Sequence, residues 1–243
     1  AIGYRPMYSA TTGTASIAIG YYAGRYPEGS YNVFIGDSAG SGATSTRTAL
    51  NNVGVGREAL ARVESSDHVT AVGYQAFSYL TSAGDSVAFG AYAGFRTTTG
   101  SNNTYIGYTA GYSNVTGTHT VAIGYGALSG NTADGENVAV GSQALKTNVT
   151  GTQMVAIGRE ALAASTKGHY NVAVGHRAGY LNTTGTENVF MGNYAGSGNT
   201  TGGENIYIGR MAGGNNAGGG TNVVVGVHAY KTLGGDGSYN TIM

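Results

Sequence analysis

The sequence predicts an all-β fold: a parallel β-solenoid of about fourteen coils with a repeat of seventeen residues. Three observations lead there. Glycine recurs at Gly56, Gly73, Gly90, Gly107, Gly124, Gly141, Gly158, Gly175, Gly192, Gly209 and Gly226 without drift, and Gly3, Gly20 and Gly36 extend the series backwards at spacings of 17, 16 and then 20. Each of these glycines closes the same short phrase, with an apolar residue before it. A fixed period this short suits a stack of coils, each burying its apolar face only against its neighbours. The unbroken phase also leaves no place for a boundary, so residues 1–243 read as a single repeat domain.

With the anchor glycine as position zero, the elements follow in order. Position minus three is usually β-branched (Val53, Val121, Val172, Ile206) and position minus one is always apolar (Ile35, Phe89, Met191, Val225), an alternation that predicts a strand. Position plus three is alanine from Ala23 through Ala229, and position plus four is glycine or a large apolar residue such as Leu60 or Leu145. A second short strand is expected there. Next comes a corner that often reads Asn-x-Thr-Gly, as from Asn114 to Gly117 and from Asn182 to Gly185, where both residue types accept the left-handed backbone of a turn. A coil this short cannot fold into its own hairpin, so its strands are expected to pair in parallel with those of the next coil. Fourteen coils at strand spacing would extend on the order of 65 Å.

In such a stack identical residues form columns. Asparagine at minus four (Asn32, Asn52, Asn103, Asn137, Asn171, Asn188, Asn205, Asn222) would link coil to coil through its amides. With minus three and minus one directed inward, minus two and zero form a smooth outer face of alanine and glycine suited to another backbone. The opposite parity places alanine inside and the Val/Ile columns at a symmetry axis. Either way the strand has two apolar faces and a thin coil buries one, which points to a homo-oligomer.

Composition narrows the function. Only 10% of residues are charged, twelve basic against twelve acidic, so the electrostatic footprint of a nucleic-acid binder is missing. Cysteine is absent, which removes disulfides and thiolate chemistry. No apolar run approaches the roughly 20 residues of a membrane span, no leader opens the chain, and membrane insertion is not expected. Both ends fall inside the phrase, and the chain reads as a segment of a longer fibre.

The phrases Asn-Val-Ala-Val-Gly (Asn137 to Gly141, Asn171 to Gly175), Val-Ala-Ile-Gly (Val121 to Gly124, Val155 to Gly158) and Gly-Tyr-x-Ala-Gly (Gly107 to Gly111) resemble the head repeats of trimeric autotransporter adhesins and the Gly-Tyr-x-Ala repeats of bacteriophage tail fibres. The resemblance covers nearly the whole chain. It implies a left-handed β-roll whose three chains share an axis, and an extracellular place on a virion tail fibre or a bacterial surface. Adhesin heads repeat nearer fourteen residues and favour serine after the glycine. The seventeen-residue period and the tyrosines at plus one, Tyr21, Tyr74, Tyr108 and Tyr125, look more like the phage version.

No constellation of catalytic, cofactor-binding or metal-ligating residues is expected. The five histidines fall at scattered phases, with His68 and His119 three coils apart, and the carboxylates Glu136, Glu187 and Glu204 read as a solvated edge. The sequons at Asn114, Asn148, Asn182 and Asn199 share one phase, so corner geometry accounts for them without a glycan; Asn102 begins another. Recognition falls to the nineteen tyrosines, which suit sugars and protein surfaces as well as plain sheet packing. It also falls to the loop of the irregular coil, where Ser41, Thr44 and Arg47 are candidates. The leading expectation is a non-enzymatic adhesive fibre segment, with itself and a cell-surface glycan or protein receptor as partners. The alternatives are an adhesin head, an ice-binding solenoid carrying Thr-x-Thr rows such as Thr150 to Thr152, and a self-assembling filament.

Overall fold

A computed structural model describes residues 1–8, 15–25, 29–42, 48–132, 135–230 and 237–242. Two compact units are resolved, Ala1–Thr120 and Val121–Met243. The first contains β1 (Ile17–Ile19), β2 (Val33–Ile35), β3 (Val53–Val55), β4 (Thr70–Val72), β5 (Val87–Phe89) and β6 (Thr104–Ile106). The second contains β7 (Val121–Ile123), β8 (Val138–Val140), β9 (Val155–Ile157), β10 (Val172–Val174), β11 (Val189–Met191), β12 (Ile206–Ile208), β13 (Val223–Val225) and β14 (Thr241–Ile242). There is no helix among the described residues.

Within each unit every strand pairs in parallel with the next in sequence, and like residues face like: Val155 opposite Val172, Ala156 opposite Ala173, Ile157 opposite Val174. The register survives the irregular spacings, since Val33 still faces Val53 across the longest coil and Ile17 faces Val33 across the shortest. Extra residues are therefore taken up in the turns. This is a parallel β-solenoid with one strand of three residues per coil.

The parity is the reverse of the leading expectation. Position minus two points inward, with Ala71, Ala122, Ala156 and Ala173 fully buried, while minus three and minus one face out. The physical reason is the width of the coil. Alanine at plus three is also fully buried, from Ala23 to Ala212, and comes up against the strand from the other side. The inward position shares its space with plus four and so takes alanine or one large side chain, while the Val/Ile rows at minus three and minus one face out.

The second strand at plus three and plus four is not formed. That segment is a run of turns in which plus two and plus four take left-handed angles, as at Glu58 (φ 55°) and Leu60 (φ 52°). Its backbone nevertheless pairs from coil to coil: Glu58 N–H donates to the Asp37 carbonyl at 2.8 Å and Leu60 N–H to the Ala76 carbonyl at 3.1 Å. The parallel ladder is present without the extended conformation. Bending is what lets plus four turn its side chain into the core.

That core follows a rule of complementary size. Where minus two is large, plus four is glycine: Phe34 with Gly40, Tyr105 with Gly111, Phe190 with Gly196, Tyr207 with Gly213. Where minus two is alanine, plus four is often Phe77, Leu128, Leu145 or Leu162, each fully buried. Coils small at both positions borrow from a neighbour, since a β-carbon on Gly179 would lie 2.5 Å from the Phe190 ring and 2.8 Å from Leu162.

Both asparagine columns are buried. Asn188, Asn205 and Asn222 each donate Nδ2 to the Oδ1 of the asparagine one coil back at 2.9–3.1 Å and a second bond to a glycine carbonyl. The corner asparagines Asn114, Asn148, Asn182 and Asn199 are also fully buried, with Nδ2 held by the glycine carbonyl three residues on. The sequons at these four sites are thus turn chemistry, because their amides are consumed inside the coil.

Candidate functional site

Position zero explains its own invariance. Gly158 has φ 129°, and a β-carbon added there would sit 2.5 Å from the Gly175 carbonyl oxygen; Gly56 has φ 130° and meets Gly73 at the same distance. The glycine column lets the strand turn the corner with adjacent backbones in contact. It is structural throughout its length.

One step beyond it, the tyrosines at plus one are exposed: Tyr21 by 50%, Tyr74 by 36%, Tyr108 by 50% and Tyr125 by 55%. Tyr21, Tyr74 and Tyr108 pack on rings of neighbouring coils. Tyr21 stacks on Tyr4 at 5.3 Å, Tyr74 meets Tyr92 edge-on at 5.0 Å, and Tyr108 meets Tyr92 at 6.0 Å. Tyr92 ionises above the usual phenol range, first because of its hydrogen bond with Tyr74 and then because of burial. The aromatic row continues through Phe95 and Tyr112, which stack at 5.2 Å. These three tyrosines are thus both exposed and packed against other rings.

Of the loop candidates, Ser41 is described and Thr44 and Arg47 lie outside the described residues. Ser41 lines a recess of 420 Å³ in the first unit, together with Ser38, Glu58, Ala61, Arg62, Gln75, Ser78 and Tyr79. A recess of 270 Å³ in the second unit is lined by Gln143, Lys146, Thr147, Glu160, Ala163, Ala164, Arg177, Tyr180 and Leu181. Both are built from positions plus two, plus five and plus six of three successive coils. In both, the middle coil supplies glutamate at plus two and alanine at plus five.

The two glutamates are held alike. Glu58 accepts a 2.5 Å hydrogen bond from Gln75 Nε2 of the next coil, and Arg57 Nη2 lies 3.2 Å away. Glu160 accepts a 2.5 Å bond from Arg177 Nε of the next coil, and Arg159 Nη1 lies 3.7 Å away. The bond from Arg177 is the main cause that holds the Glu160 carboxyl below the usual range; partial burial opposes it, and the charges of Arg177, Arg159 and His176 reinforce it. The same bond, with one to the Tyr194 hydroxyl, raises Arg177. In each recess a guanidinium lies over a tyrosine ring, Arg62 on Tyr79 at 4.0 Å and Arg177 on Tyr180 at 4.9 Å.

Comparisons leave the reading to these residues. No protein-family model, no curated protein and no solved structure matches the chain.

Of the sequence candidates only Ser41 falls in a recess, although a stronger signal is present. The hexapeptide Gly-Arg-Glu-Ala-Leu-Ala occurs twice without change, at 56–61 and at 158–163, six full periods apart, and no other coil has glutamate at plus two. The remaining acid and imidazole groups stay scattered. Glu187 and Glu204 are exposed, and His68 lies 3.6 Å from Asp85. Among the described residues no group of three or more His, Cys, Asp or Glu side chains is placed to hold a metal ion, and no helix is long and apolar enough to cross a membrane.

Proposed function

We propose that the chain is a non-enzymatic adhesive segment of an extracellular fibre, in the manner of a phage tail fibre, that works as a homotrimer and presents its turns to a receptor. The observation that carries this is the outward face of the strands. In the first unit Ile17, Ile19, Ile35, Val87, Phe89 and Ile106 are exposed; in the second Ile157, Met191, Ile206, Ile208 and Val225 are. A monomer rarely leaves so continuous an apolar patch in water, and sister chains meeting along it would remove it. The likeness of the repeats to those of tail fibres and autotransporter heads supports three chains around one axis and the left-handed roll.

The division of labour within each coil supports the adhesive part. The strand face is apolar and uniform, as self-association requires, whereas the turn face varies from coil to coil in tyrosine, arginine and glutamate, as specificity requires. The test is the mass of the purified chain in solution by light scattering, followed by binding of the labelled protein to candidate host cells. Three chains per particle and surface labelling are expected. A monomer that stays monomeric at high concentration would remove the fibre reading.

A further inference from the structure

We infer that the two recesses over Glu58 and Glu160 are carbohydrate subsites, each shaped for one or two sugar units. The inference rests on the adhesive reading for the origin of the glycan, while the chemistry of the recesses is independent of it.

Each volume falls near or just under the lower end of the ~300–1,000 Å³ typical of small-molecule sites, which excludes a folded protein element and leaves room for a small ring. The walls combine a carboxylate, an amide or guanidinium fixed to it, and hydroxyls. A carboxylate offers about four acceptor directions. In the first recess Gln75 takes one, and the neighbouring Arg57 stands beside the other oxygen, so acceptor capacity remains for ligand hydroxyls. Sugar hydroxyls both donate and accept, and so match a wall of mixed polarity. In the first recess the charges of Glu58 and Arg62 cancel, so a phosphate gains nothing there over a neutral ring. An extended peptide would need a free sheet edge or an apolar trough, and neither lines these walls.

The floor argues the same way. Ala61 and Ala163 occupy plus five, where Phe95, Tyr112 and Tyr180 stand in some coils and Ser41, Ser78, Ser129, Ser197 and Gly214 in others. A small side chain at that place in the middle coil keeps each recess open, and its methyl group offers a contact for the C–H face of a sugar ring. The guanidinium–tyrosine pairs, Arg62 on Tyr79 and Arg177 on Tyr180, keep the donors oriented before binding. Lys146 and Arg177 against Glu160 leave the second recess with one excess positive charge, so it is assigned the acidic sugar and the first recess a neutral one.

The test uses the whole chain on a printed array of neutral hexose, N-acetylhexosamine and uronate-bearing oligosaccharides, with wild type, Ala61→Phe, Ala163→Phe and the double variant. The aromatic side chain already occurs at this position in other coils, so folding should survive, and an unchanged melting curve checks it. Each single variant should lose at least tenfold in binding to one class, neutral for Ala61→Phe and uronate for Ala163→Phe, and the double variant should lose both. Glu58→Gln with Glu160→Gln preserves the shape and should also lower binding by at least fivefold. A wild-type chain that labels cells but binds no oligosaccharide, or a double variant that binds as wild type does, overturns the carbohydrate assignment and leaves adhesion standing. Oligosaccharide binding that follows the variants, without any cell labelling, removes the adhesive reading and keeps the subsites.

Discussion

At Gly175 the backbone angle φ is 136°, and the Gly192 carbonyl oxygen stands 2.6 Å from where a β-carbon would be. Two penalties therefore coincide in Gly175→Ala. One is a left-handed angle costing about 1–3 kcal/mol and the other is overpacking of similar size, giving a loss of about 2–4 kcal/mol. Chemical denaturation should read this as a lower midpoint with an unchanged slope. Alanine at Tyr108, half exposed but in edge contact with Tyr92, should cost less, about 0.5–1.5 kcal/mol. Glu160 gives the pH dependence. Its folded-state carboxyl is held below the unfolded value by Arg177, so its stabilisation is complete above the ordinary glutamate range near about 4.3 and is lost as pH falls through the depressed folded value. Glu160→Gln should accordingly be less stable than wild type at neutral pH, and the two melting curves should converge in acid. A gap that persists at the lowest pH would mean that packing, not charge, is what Glu160 supplies.

Within one coil the unit of design is the pair formed by minus two and plus four, which share one volume. Ala139 and Leu145 form such a pair, both fully buried, while Phe190 with Gly196 fills the same space from the other side. Leu145→Gly alone should cost about 2–5 kcal/mol through the cavity it leaves, and Ala139→Phe alone about 1–3 kcal/mol through crowding. Joined, they recreate the Phe190 arrangement, so the double variant should be more stable than Leu145→Gly alone. A double-mutant cycle reads this coupling, and simple additivity would show that the pair rule is an accident of sequence. The period, the parallel register, the asparagine ladder and the need for glycine at position zero were legible in the sequence because each depends on recurrence alone. The parity of the strand was not. Val-Ala-Val-Gly alternates in either direction, and what decides is that minus two shares its volume with plus four, a relation that no single coil's sequence states. The second strand was misjudged for a related reason, since coil-to-coil pairing at Leu162 is real while its φ of 49° is that of a turn. Of the recesses only Ser41 was legible, because their walls are drawn from three successive coils and the signal lies in the repeated Gly-Arg-Glu-Ala-Leu-Ala rather than in any one residue.

For the molecule as a whole, the proposed association rests on the outward strand face. Ile157, exposed by 41%, and Ile208, exposed by 37%, lie on that face in the second unit. In an isolated chain their replacement by lysine would be neutral or mildly favourable, because a β-branched side chain in water is exchanged for a solvated one. In a trimer joined along this face the same lysines would be buried opposite one another, and a charge left without a partner in an apolar contact costs several kcal/mol. Ile157→Lys with Ile208→Lys should therefore convert the particle to single chains by light scattering while far-ultraviolet circular dichroism keeps its β signature at low temperature. Its melting point should then depend less on protein concentration than that of wild type, since dissociation no longer accompanies unfolding. Persistence of the wild-type mass in this variant would place the contact between chains on another surface, and the apolar strand face would need a different partner.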